Sequence, residues 1–166
     1  MIQTLEKLSS LQRSTGSLDG AITALDDIGH LIFHSASHSF IKRQHELSRV
    51  YYRVAEIHHD MGDCVQSFHM AQKAIQVAEA AAPSLEDGED SLVDKVALLE
   101  QWALAYLLVG SLLHEQCEAE RAYHVLQQTI RTLDSLQGHP LFATPSLLAL
   151  RQVALLLATP RCAPVA

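Results

Sequence analysis

The chain is short of the residues that interrupt helices and of the patterns that build sheets. Its 166 residues include seven glycines and five prolines, and alternating β-branched runs are nearly missing. That excludes a strand-based architecture and predicts an all-α fold. No unbroken run of eighteen apolar residues occurs, and the opening Met1-Ile2-Gln3-Thr4-Leu5-Glu6 lacks the basic region and apolar core of a signal peptide. A soluble, cytoplasmic chain with no membrane partner is expected. Cys64, Cys117 and Cys162 are odd in number and widely spaced, which argues against a disulfide framework or a zinc knuckle. Cys64 and Cys117 fall beside predicted turns and are expected to be small buried hydrophobes. There is no Gly-rich phosphate loop and no nucleophile elbow, so no enzymatic activity and no cofactor are expected.

Basic residues are scarce where acids are dense. The net charge is −7, yet residues 1–50 carry five acids and five bases and residues 101–166 carry four of each. The excess lies in residues 51–100, with ten acids against three bases, and half of those acids are Glu86, Asp87, Glu89, Asp90 and Asp94. Nucleic acid is an unsuitable partner, because binding it needs a basic face that neutralises phosphates. A protein or peptide partner with basic character fits the charge. The acidic stretch lacks the alternating ligands and terminal glutamate of a calcium loop, and it reads as a solvated loop.

What the chain does contain is helical periodicity. Apolar residues at three-and-four spacing predict helices over 2–14, 18–34, 40–61, 63–82, 92–115, 118–136 and 146–158. Gly16 and Gly62 suit the left-handed position that ends a helix. Asp63 with Gln66 and Ser91 with Asp94 read as capping boxes, the polar stretch 35–39 supplies a cap for the third helix, and Pro83 stops the fourth. Thr144-Pro145 reads as an N-cap followed by proline at the first helical position. Gly138-His139-Pro140 closes the helix before it. One domain is expected over 1–159, with a mobile tail over 160–166.

Small residues recur at one interval along these helices. Ala55 is followed by Ser67 after twelve residues and Ala74 after seven more. Gly110 is followed likewise by Ala122 and Thr129, and Ser9 by Ala21, with Ile28 in the last place. Large residues precede each first small one: Leu5/Leu8, Tyr51/Val54 and Tyr106/Val109. Undersized side chains matter at these places because two closely packed helix backbones leave no room for a long one. The pattern resembles the tetratricopeptide repeat, over roughly residues 2–136. Its copies lie 46 and 55 residues apart, longer than the usual period of about 34, so the resemblance is to a long-helix variant. It implies antiparallel hairpins stacked as a short right-handed solenoid, about three hairpins plus a C-terminal helix, with a concave groove that holds a peptide or partner helix.

The groove would be lined by the helices over 40–61 and 92–115, with Arg49, Arg53, His58 and Gln101 as its polar contacts. Peptide-binding members of the family clamp a carboxylate with basic groove residues, a role the resemblance offers to Arg49 and Arg53. Size and acidity also resemble bacterial secretion chaperones, and a regulatory or sensor domain of a larger protein is a further alternative. The last helix is too apolar to be an outer cap, and with Leu107/Leu108 it predicts self-association. Ten histidines call for a weighing of metal. His30 and His34, four apart near Asp26 and Asp27, have ligand spacing, but they also sit where a helix dipole favours cations, and no metal site is expected. His58-His59-Asp60 lacks companion ligands, and His114 with Cys117 coincides with a turn.

Overall fold

The computed structural model describes residues 2–34, 39–81, 83, 85, 91–137 and 144–159. The described residues form seven α-helices and no strand: α1 (Ile2–Ser14), α2 (Leu18–Phe33), α3 (Phe40–Asp60), α4 (Cys64–Glu79), α5 (Leu92–Glu115), α6 (Ala119–Gln137) and α7 (Pro145–Ala158). The expected boundaries hold to within a few residues, the largest shift being at α4. That helix ends at Glu79, four residues ahead of the proline assigned to stop it. The acidic residues 86–90, the polar residues 35–38, Gly138 to Pro140, the tail from Pro160 and Cys162 lie outside the described residues.

Three turns are built alike. Gly16 N–H donates to Arg13 O and Ser17 N–H to Gln12 O; Gly62 N–H donates to His59 O and Asp63 N–H to His58 O; Cys117 N–H donates to His114 O and Glu118 N–H to Leu113 O. Each pair is a Schellman motif, in which a residue of positive φ reverses the chain and satisfies the orphan carbonyls of the ending helix. The φ angles are +82° at Gly16, +78° at Gly62 and +61° at Cys117. Cysteine carries a Cβ that crowds the left-handed conformation, so the third turn keeps the geometry at a cost glycine would not carry. The next helix then starts in the same way each time, with Ala21 N–H bonded to Ser17 O, Ser67 to Asp63 O and Ala122 to Glu118 O.

Caps behave as their side chains allow. Asp63 accepts from Gln66 N–H at 3.0 Å, Ser39 from Lys42 N–H at 3.3 Å and Thr144 from Leu147 N–H at 3.3 Å, with Pro145 at the first helical position. Ser91 caps Val93 rather than Asp94.

The chain forms two compact units, Met1–Ala105 and Tyr106–Ala166, the division falling within α5. In the first unit, α1 packs on α2, α2 on α3 and α3 on α4. Its core joins Ala21, Leu25, Ile28 and Ile32 of α2 to Val50, Val54 and Ile57 of α3. Each such fully buried Leu or Ile contributes about 2 kcal/mol of hydrophobic stabilisation. Ile28, the large residue in a small-residue register, belongs to this core: it fills the α2–α3 seam. In the second unit, Leu107, Leu126, Ile130, Ala154 and Ala158 form the core. Leu107 is buried, because α7 lies over α6 and the end of α5. α5 is the one described helix long and apolar enough to cross a membrane, and most of its apolar stretch is buried in the fold.

Candidate functional site

The small-residue register becomes a set of close helix crossings. Ser48 Oγ on α3 donates to Ala74 O on α4 at 2.8 Å, and Ser67 Oγ on α4 donates to Ala55 O on α3 at 2.8 Å. One index rises by seven as the other falls by seven, which is antiparallel pairing with a hydroxyl reaching each way. All four residues are fully buried. In the first hairpin Ser9 Oγ donates to Ala21 O at 3.2 Å, again across twelve residues. In the third, a Cβ added to Gly110 would lie 2.7 Å from Leu126 Cδ2 and 2.9 Å from Leu126 Cγ. Thr129, also fully buried, keeps its hydroxyl on its own helix through Val125 O.

These crossings set α3 against its neighbours, and a polar stripe of α3 faces α1. Residues 45, 49, 52, 56 and 60 fall at spacings of three and four, one helix face. Arg49 pairs with Glu6 of α1. Arg13 of α1 meets Asp60 at 2.6 Å through Nη2 and at 2.9 Å through Nε, and Glu56 at 3.4 Å. Asp60 and Glu56 raise the Arg13 pKa despite its partial burial, which acts the other way. Burial, then the charge and hydrogen bond of Glu56, push the Tyr52 phenol up to about 12. Burial pulls the His45 pKa down, helped by Arg49 and opposed by Asp94 at the start of α5. The pairs are half-exposed, so each contributes about 0–1 kcal/mol and serves orientation more than stability.

The four expected groove contacts meet different fates. Arg49 is half-buried and already neutralised by Glu6, so it is not a free carboxylate clamp. Arg53 is half-buried and forms no ion pair among the described residues. His58 is half-buried, and its buried Nδ1 has no hydrogen-bond partner among the described residues. Gln101 is buried within the packing at 6% exposure, with Nε2 also unpartnered. It sits inside the seam instead of on an open face, because α5 turns the side of Gln101, Trp102 and Ala105 inward. Glu6, Arg13, Tyr52 and Glu56 escaped the sequence reading. Their pairing depends on which faces of α1 and α3 meet, and no single-helix pattern carries that.

His30 and His34 are both exposed, and among the described residues no group of three histidines, cysteines or carboxylates is placed to hold a metal ion. Cys64 is half-buried, whereas Cys117 is exposed at its turn, a correction to its expected burial. A residue at the positive-φ position of a Schellman turn projects away from both helices. α7 leaves Leu148, Val153 and Leu156 exposed. The arrangement around α3 holds charge pairs and hydrogen-bonding groups. Compared with protein-family models and with curated protein sequences, the chain matches none.

Proposed function

We propose that the chain is a tetratricopeptide-like protein-interaction module, its hairpins repeating as in a short right-handed solenoid. It would present the side of α1, α3 and the first half of α5 to a peptide or helix of a partner protein. The observation that carries this reading is the threefold recurrence of one Schellman turn and one small-residue seam, at 16, 62 and 117 and at 9, 55 and 110. Repeated hairpins cannot close on themselves and so leave a long face for a ligand. Arg53 is the residue on that face best suited to meet a partner's acid, since Arg49 is spent on Glu6. His58, half-buried on the same helix, is a second candidate contact. Recognition, not catalysis, is the proposed activity.

A photo-crosslinking amino acid placed at Arg53 tests the reading. In extract of the native organism it should capture one discrete protein, while the same probe at Asp26, exposed on α2, captures none. Arg53→Glu should abolish capture from a probe at His58 while leaving the helical circular-dichroism signal unchanged. Equal capture from Asp26 and Arg53 would remove the preferred face and with it the proposal.

A further inference from the structure

Helix α1 is fastened to the first unit differently from its neighbours. Among its described side chains Ser9 alone is buried, whereas α2 buries Ala21, Ala24, Leu25, Ile28 and Ile32. Leu8 and Leu11 are exposed, and Leu5 is only partly buried against the α2–α3 core. Charge supplies what apolar contact does not. Glu6 pairs with Arg49 and Arg13 with Glu56, each across 43 residues, and Arg13 also pairs with Asp60. The equal offset means that α1 and α3 run parallel, with a pair about every two helical turns. Gln12 Oε1 is buried with no hydrogen-bond partner among the described residues, an acceptor that regains water when α1 lifts. A helix of 13 residues is marginal when it stands alone, and segments with few buried apolar contacts open before the rest of a fold.

We infer that α1 is a strap held on α3 by charge, which lifts ahead of the rest of the unit and uncovers Arg49. In the closed form Glu6 occupies the Arg49 guanidinium as an external carboxylate would. In the open form Arg49, Glu56 and Asp60 face water together. Salt weakens the closed form, because the pairs are half-exposed and the screening length falls to about 3 Å at 1 M. A partner's acid competing for Arg49 favours the open form in the same way; that step alone rests on the reading of the α3 face given above.

The test needs no partner, so a failure of that reading leaves its outcome unmoved. Native-state hydrogen exchange is followed by nuclear magnetic resonance on the full chain, labelled with nitrogen-15. The amides of Ser9, Ser10 and Leu11 should exchange faster than those of Ala71 and Ile75 in α4. Raising sodium chloride from 0.05 to 1 M should speed the α1 amides about tenfold, the sum of three exposed ion pairs, relative to the α4 amides. Arg13→Gln removes two of the three pairs and should speed α1 exchange about fivefold at low salt while removing most of the salt response. Arg121→Gln, which breaks the Arg121–Glu118 pair on α6, should leave α1 exchange unchanged. Phenylglyoxal, which modifies guanidinium groups, reads the masking directly. Glu6→Gln should speed modification of Arg49 about threefold, as for one surface ion pair, and leave Arg53 unchanged. Exchange in α1 as slow as in α4, a salt response shared equally by both helices, or Arg49 reactivity indifferent to Glu6→Gln would each overturn the inference.

Discussion

The second and third hairpins solve one problem by different chemistry. Both bring two helices close at a small residue seven positions before the left-handed turn. Between α3 and α4 the space is made by Ala55, Ser67 and Ala74, and hydroxyls from Ser48 and Ser67 use the short distance to reach carbonyls across the seam. Between α5 and α6 the space is made by Gly110, and an aliphatic side chain, Leu126, enters it. The flanks differ in the same sense. α3 carries a polar stripe bonded to α1, while Leu107 and Leu126 join a core of leucine, isoleucine and alanine. Close approach is therefore the common requirement, and what fills the gap is free to vary. A polar clasp fixes register through direction; a leucine in a notch fixes it through shape.

The strongest way to break this comparison is to deny the second hairpin its space. Ala55→Leu should cost about 3 kcal/mol, as overpacking of a closed seam does, read as a fall in the urea midpoint with the slope retained. A cost below about 0.5 kcal/mol, the level of an ordinary surface substitution, would show that α3 and α4 are not in contact there. Next in size is the notch of the third hairpin. Gly110→Ala should cost about 1 kcal/mol, because the added Cβ meets Leu126 and this outweighs the helix propensity gained. In a Leu126→Ala background the same change should become stabilising. A cycle without that change of sign would mean Leu126 is not the obstruction.

The turns give a smaller contrast. Cys117→Gly should stabilise by about 0.5 kcal/mol, because glycine adopts positive φ freely but loses more entropy on folding. Gly62→Ala should destabilise by about 1 kcal/mol for conformational reasons alone, since a Cβ there would meet nothing within 4 Å. Matching signs in the two thermal melts would separate the turns from one another. The last test has no effect at neutral pH. Tyr52 has a raised folded pKa, so its stabilising contribution is complete below pH 10 and is lost as pH rises towards about 12. A phenolate absorbance titration should show one tyrosine ionising late. Tyr52→Phe should delete that step and flatten the alkaline decline in stability.

Much of the local architecture was readable in advance. Gly62 and Asp63, Thr144 and Pro145, and the interval from Ala55 to Ser67 act through neighbours in sequence or through a single crossing, so their chemistry is visible in the chain itself. Cys117 was not readable in the same way: its turn lacks the glycine that signals positive φ, and only the recurring hydrogen bonds disclose it. Gln101 was read as an open polar contact and is buried, because the rotation of a helix as apolar as α5 has no polar face to announce it.

Helix limits, turn positions and the undersized seam were determined by the order of the residues alone, because caps, positive-φ sites and backbone clearance are local demands. The pairing of Glu6 with Arg49 and of Arg13 with Asp60 and the burial of Gln101 were decided only by tertiary structure. Each depends on which faces of separate helices meet, and that choice is made by the sum of all their contacts.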